Sequence, residues 1–225
     1  MKFNIKDYYL MYQKRGMRLC FSYFFELQLF DLINGTDTHV WLPKKNYTDT
    51  LHLKNFENCT LYMGSWTSLI KEATNKALDL FSLNPSDVAF VDIGCGKGKV
   101  LCVWNKMFLD AKRIVGIEFS EHLIKISKSN LQKISASEVE IICGDATKVS
   151  LNFDCSVNLL YLYNPFDVKI LSQFVENIGK QDTIIIYFNP VHKSIFFDNG
   201  FIECVEKKSW YPGSNYIIFS NIRSK

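Results

Sequence analysis

The sequence holds no CxxC pair, no block of like charge, no Pro/Gly/Ser-rich linker, no internal repeat and no apolar segment long enough to span a bilayer. Each absence removes a class of protein. The seven cysteines, Cys20, Cys59, Cys95, Cys102, Cys143, Cys155 and Cys204, are odd in number and scattered. Neither a zinc knuckle nor a disulfide framework is supported. Most of them sit in apolar runs, where a thiol behaves as a small hydrophobe, and this fits a reducing, cytoplasmic setting in which the sequons at Asn34, Asn46 and Asn58 carry no meaning. His39, His52 and His122 stand at no metal-ligand spacing from one another or from any cysteine, so no metal is expected. Lys and Arg number 26 against 23 Asp and Glu, a net charge of +3 that gives no strong nucleic-acid signal. MKFNIKDYY lacks the apolar core of a signal peptide, and the greasiest stretch, Leu19 to Ile33, is interrupted by Glu26 and Asp31; no transmembrane segment is expected.

What is present is a chain of 225 residues, 48% apolar and 22% charged, enough for one compact core. Residues 1–60 form a distinct N-terminal stretch. Tyr8 to Leu32 has the periodicity of an amphipathic helix crowded with aromatics, and Asn34-Gly35-Thr36-Asp37-Thr38 ends it and opens a loop reaching to about residue 60. A loop of that length in a compact protein is more often functional than decorative, and this stretch is expected to act as a lid or substrate-selecting extension. From residue 61 onward helix and strand alternate. Ser65-Trp66-Thr67-Ser68 caps a helix that closes at Asn84-Pro85. Strands then read at Val88–Ile93, Arg113–Glu118, Val139–Cys143, Val157–Tyr163 and Thr183–Phe188, with helices at Lys99–Leu109, Ser120–Lys133 and Asp167–Ile178. Strands joined through single helices run parallel, so the pattern is an α/β, Rossmann-like, doubly wound sheet. Two last strands, Phe201–Lys207 and Tyr216–Ile222, meet at the turn Tyr211-Pro212-Gly213-Ser214, so one strand must run antiparallel.

Ligands of such sheets bind beyond the carboxyl ends of the strands. The first strand ends Asp92-Ile93-Gly94-Cys95-Gly96-Lys97-Gly98-Lys99. Glycines at 94, 96 and 98 let a ligand lie against bare backbone. The spacing is G-x-G-x-G, not the G-x-G-x-x-G of dinucleotide sites, and Asp92 would repel a pyrophosphate while attracting a cationic amino-acid group. Glu118 closes the second strand, where a carboxylate can accept from both ribose hydroxyls. Asp145 and Ala146 follow the third, where an acid can accept from an adenine amino group. Cys95 reads as a small filler of the loop.

As a set, these residues resemble the class I S-adenosylmethionine-dependent methyltransferases over about residues 62–222. Within them FVDIGCGKGKVL, VGIEFSEHL, LYNPF and FDLINGTDT are similar to a bacterial group with some likeness to Dot1-type lysine methyltransferases. The resemblance implies a seven-stranded sheet with an antiparallel last strand, S-adenosyl-L-methionine as cofactor, a catalytic domain over 61–225, and cofactor binding by Asp92, Gly94, Gly96, Gly98, Glu118, Asp145, Ala146 and Asn164. Asn164-Pro165-Phe166 resembles the N/D-P-P-Y/F motif of amino-methyltransferases with one proline missing. That likeness implies that Asn164 and Phe166 meet the acceptor, with a nitrogen of a protein lysine or a small amine as its target. His192, in the second Asn-Pro tip (Asn189-Pro190-Val191-His192), is a candidate general base. Two other readings stay open: an NAD(P)-dependent oxidoreductase on the same sheet, disfavoured by the absence of a Tyr-x-x-x-Lys pair, and a non-catalytic cofactor-binding scaffold. The acceptor is unspecified, with protein or small molecule favoured.

Overall fold

The computed structural model describes residues 5–39, 64–178 and 181–222. Most of the loop expected through residue 60 lies outside the described residues. No helix among the described residues is long and apolar enough to cross a membrane.

Seven strands form one sheet: β1 (Val88–Ile93), β2 (Arg113–Glu118), β3 (Glu140–Cys143), β4 (Val157–Tyr163), β5 (Thr183–Phe188), β6 (Ile202–Lys207) and β7 (Tyr216–Ser220), in the order β3-β2-β1-β4-β5-β7-β6. The central strands VAFVDI and TIIIYF are buried along their whole length, the continuous apolar run expected of strands covered on both faces. The edge strands β3 and β6 carry exposed glutamates instead. β7 pairs antiparallel with both β5 and β6, so it is the one reversed strand. Strand order changes direction between β1 and β4, which sets the switch point at the tips of these two strands.

Helices α3 (Thr67–Phe81), α4 (Lys99–Met107) and α5 (Glu121–Lys133) cover one face, where Ile70, Leu101, Trp104 and Leu131 pack with Phe90 and Tyr161. Helices α6 (Val168–Ile178) and α7 (Ser194–Asp198) cover the other, where Phe174 and Phe196 pack with Val91 and Phe219. α7 was not anticipated because five residues are too few to show a helical period. α4 stops at Met107, two residues short of the expected end, and Phe201 lies in the core just ahead of β6.

The N-terminal helix begins earlier than its periodicity suggests and is not continuous. α1 (Ile5–Tyr23) breaks at Gly16, whose φ of 70° and ψ of −173° only glycine adopts readily. A single π-helical turn, Phe24–Gln28, follows, then α2 (Leu29–Asn34), ended by Gly35 in the left-handed conformation. The π turn presents Glu26 to the start of α3. Its carboxylate accepts from the Ser68 amide at 2.8 Å and the Ser68 hydroxyl at 2.6 Å, and its carbonyl accepts from the Thr67 hydroxyl at 2.7 Å. The cap of α3 therefore comes from another element. Ser65 does not supply it, because the N-cap position is Trp66, one residue further on, and no side chain of its own caps this end.

Candidate active site

Beyond β1 the chain enters a loop in which Gly94, Gly96 and Gly98 have φ of 76°, 54° and 79°. The amides of Gly94 and Cys95 both donate to the Ile117 carbonyl, at 2.9 and 3.0 Å, and this lashes the loop to β2. A Cβ on Gly98 would stand 2.3 Å from the Ser127 hydroxyl oxygen, so position 98 needs glycine for space as well as for φ. Gly116 was not singled out by the sequence, yet a Cβ there would lie 2.6 Å from Leu101 and 2.7 Å from the Cys95 sulfur. Its bareness lets α4 and the loop close down on β2. Cys95 is buried, and its thiol is pushed up by burial first and then by Asp92 and Glu118, which suits a packing residue and not a nucleophile.

Glu118 is 4% exposed. One carboxylate oxygen accepts from the Gly96 amide at 2.9 Å; the other accepts from the Phe119 and Ser120 amides, both at 2.9 Å. The acid at the tip of β2 thereby holds the middle of the glycine loop and the entry to α5 together. Asp92 lies in register with Gly116 and with Tyr161 of β4. Burial drives its carboxyl well above the usual carboxylate range, and the charge of Glu118 adds to the effect. A cation brought to this pair would reverse that direction. Beside them the Tyr161 hydroxyl is fully buried, without a partner at hydrogen-bonding geometry among the described residues, and its polar neighbour is Ser65.

At the tip of β3, one oxygen of Asp145 accepts from the Thr147 amide at 3.0 Å and the Thr147 hydroxyl at 2.7 Å, and the other faces Lys148 at 3.7 Å. This acid closes its own turn; Ala146 beside it packs half-buried on the second core face. Asn164 and Asn189, which end β4 and β5, both take left-handed conformations, φ 41° and 49°. The Tyr187 hydroxyl donates to the Asn164 side-chain oxygen at 2.8 Å and faces the backbone of His192. One tyrosine thus stands between the two Asn-Pro tips, beside Asn164 and the half-buried His192. Pro165 approaches Gly94, where a Cβ would stand 3.2 Å from the proline ring. Phe166 is placed away from this cluster: its ring is buried against Phe174 on the second face.

Sequence reasoning missed how the N-terminal segment joins the site. Asp31, used only to argue against a membrane span, is buried and accepts five hydrogen bonds: from Thr36 Oγ1 at 2.5 Å, the Thr38 amide and hydroxyl at 2.7 Å each, the His39 amide at 2.8 Å and His39 Nδ1 at 2.6 Å. Burial alone would raise its carboxyl, but these bonds outweigh burial and hold it well below the usual range. The next loop residue, Asp37, meets the fully buried Lys97 at 3.2 Å. Asn130 of α5 then clasps both sides. Its oxygen accepts from the Asp37 amide at 2.8 Å, and its amide group donates to the Lys97 carbonyl at 2.9 Å and the Asp37 carbonyl at 3.2 Å. Lys99, also buried, lies 3.5 Å over the Phe30 ring and is brought down to about 7 by burial, against the pull of Asp31, Cys102 and Glu26. Asp31, Asp37 and His39 gather three ligand-type atoms within 4.8 Å, a grouping the spacing of the histidines did not suggest. Lys97 and the threonines and amides of the segment already answer those carboxylates.

A glycine loop at the switch point of this sheet, acids at three neighbouring strand tips and a reversed last strand define the class I methyltransferase fold. Residues 36–151 match the protein-L-isoaspartate(D-aspartate) O-methyltransferase family, slightly more than half of the chain. The chain belongs to that family. That family is one of methyltransferases, and the oxidoreductase reading is set aside on this membership. Solved structures agree on the fold. MtNAS in complex with S-adenosylmethionine superposes with a TM-score of 0.53 at 13% identity, covering 68% of this chain and 61% of that one. A ribosomal protein L11 methylase from Lactobacillus delbrueckii subsp. bulgaricus gives 0.51 at 13%, covering 68% and 77%, and a methyltransferase from Aquifex aeolicus gives 0.50 at 14%, covering 68% and 97%. The chain thus spans about three-fifths of the length of MtNAS. No curated protein matches it. The donor set fits the cofactor on its own chemistry, since Asp92 and Glu118 would repel a pyrophosphate but favour a sulfonium and an amino group.

Proposed function

We propose that this protein transfers the methyl group of S-adenosylmethionine to a nitrogen acceptor presented over the tips of β4 and β5. The observation that carries the reading is the convergence of Glu118, the glycine loop and the entry to α5, with one amide-to-carboxylate bond from Gly96 and two from Phe119 and Ser120, and with Asn164 across the switch point. In this reading Asp92, Gly94 and Gly96 serve the methionine end, with Gly98 opening α4 behind them. Glu118 serves the ribose hydroxyls, and Asp145 and Ala146 border the adenine. The cofactor supplies an activated methyl on a sulfonium, and this chain supplies position, a water-poor site and a place for the acceptor's proton. Asn164, whose side-chain oxygen accepts from Tyr187 at 2.8 Å, is the residue that meets the acceptor amine in this reading. His192, whose backbone faces the same tyrosine, is the base candidate. Phe166 acts from beneath as a positioning residue that stiffens the Asn-Pro tip. Residues 1–60 form the extension, and 61–225 the transferase domain; Asp37 ties the extension to the glycine loop.

A second reading, transfer to an oxygen, is favoured by the description of the family itself. The match stops at Leu151, before β4, so the tips that face the acceptor lie outside it. The two readings separate by chemistry. Tritiated methyl incorporated from the cofactor into a fractionated lysate should survive mild base if it sits on nitrogen, whereas a carboxyl methyl ester releases volatile methanol. Complete base release would overturn the nitrogen assignment.

A further inference from the structure

Above the tips of β4 and β7 the structure builds a second feature that the cofactor site does not use. Tyr163, the last residue of β4 and the neighbour of Asn164, donates its hydroxyl to the Gly213 carbonyl at 2.7 Å, which pins the turn between β6 and β7 to the tip. That turn carries Trp210 and Tyr211. Tyr211 stacks on Trp66 at 5.4 Å with an interplanar angle of 13°, and Trp210 leans on the same ring at 5.8 Å. Trp66 in turn adjoins Ser65, the neighbour of the buried Tyr161 hydroxyl and, through it, of Asp92. A continuous ledge of rings therefore runs outward from the cofactor acids.

Two arginines lie on this ledge. Arg18 sits 4.3 Å over the Trp210 ring and Arg15 sits 5.5 Å over Tyr211. The break at Gly16 falls between them, and each lies over a different ring of the same turn. Both are exposed, and neither has an acidic partner within salt-bridge distance among the described residues. A guanidinium held over a ring face by its charge still has N–H donors to offer, and their fork matches the two oxygens of a carboxylate or phosphate. Rings beneath also restrict the rotamers of both side chains, which lowers the cost of binding. Lys97 answers Asp37, Arg113 answers Glu140 and Lys207 answers Glu72, whereas the pair on the ledge faces rings.

We propose that Arg15 and Arg18, held on Trp210 and Tyr211, bind an oxyanion carried by the methyl acceptor, a carboxylate or a phosphate. This rests on the reading of the β4 and β5 tips as the transfer site. Arg15, Arg18, Trp210 and Tyr211 lie outside the stretch matched to the family, while Trp66, on which both rings of the turn rest, lies within it.

The test is tryptophan fluorescence of the full chain titrated with inorganic phosphate and, separately, with glutarate, at ionic strength held constant with chloride. A saturable change with at least one probe is expected, and which probe binds identifies the oxyanion. Replacing both arginines by glutamine (Arg15→Gln with Arg18→Gln) should weaken it at least tenfold, and Arg18→Lys, which keeps charge but loses the fork, should weaken it by several-fold. Calorimetric binding of S-adenosylhomocysteine should be unchanged in all three proteins. No saturable response to either probe, or a response unaltered in the double variant, overturns the proposal. Absence of S-adenosylhomocysteine binding in the unaltered protein would count against the transfer site and not against the ledge.

Discussion

Replacing Glu118 by alanine is expected to weaken S-adenosylhomocysteine binding by roughly 100-fold to 1,000-fold. Two hydrogen bonds to a carboxylate contribute about 3–4 kcal/mol together, at about 1.4 kcal/mol per tenfold. The loss is compounded because the side chain also organises the site. Without it the amides of Gly96, Phe119 and Ser120 lose their acceptor, so the glycine loop is no longer held to the start of α5. Glu118→Gln separates the two contributions. It retains one acceptor oxygen and the shape of the side chain but not the charge, and it should fall between the alanine variant and the unaltered protein. Isothermal titration of the three proteins measures the series directly. An affinity unaffected by the alanine change would remove Glu118 from the cofactor site.

Replacing Asp31 by alanine should cost about 3–5 kcal/mol of stability. The change orphans the buried amides of Thr38 and His39, each worth about 1–3 kcal/mol when left unpaired, and releases two threonine hydroxyls besides. The effect reaches the glycine loop, since the turn that Asp31 organises carries Asp37 to Lys97 and Asn130. The pH dependence has a definite sign. Because the folded-state pKa of Asp31 is depressed, its contribution is complete above the ordinary carboxylate value of 3.8 and is lost as pH falls from there through the folded value. Chemical denaturation from pH 7 down to pH 3 should therefore show stability falling below about pH 4 in the unaltered protein and falling less steeply in Asp31→Ala. Equal slopes would mean that this carboxylate is not held as described.

The sheet was legible because its central strands are buried on both faces and so read as unbroken apolar runs: β1, β2, β4 and β5 begin and end where their side chains suggested. The three acids were legible because the strands place them: Asp92 lies one residue before the end of β1, Glu118 ends β2, and Asp145 stands two residues beyond β3. Long-range polar partners were not. Asn130 lies within a helix whose periodicity gives no sign that it will grip Asp37, 93 positions away. Glu26 reads as an interruption of a greasy helix, and only the fold brings it to the first turn of α3. Ser65 had the residue type of a cap but stood one position too early. Asp31 offered a real signal, a carboxylate inside an apolar helix followed by Thr36 and Thr38, which is the composition of a buried hydrogen-bonded turn. Phe166 shows the limit of reading by motif: the spacing places an aromatic two residues after Asn164, but burial decides which way the ring faces.

The central claim is that carboxylates at the tips of neighbouring strands grip one sulfonium nucleoside. A crystal structure of the complex with S-adenosylhomocysteine tests it most directly. The account predicts ribose hydroxyls within hydrogen-bonding distance of the Glu118 carboxylate, the amino-acid end over Gly94 and Gly96 near Asp92, and the base beside Asp145. A nucleoside bound elsewhere on the sheet, or one whose ribose leaves Glu118 turned wholly to the backbone amides, would contradict it.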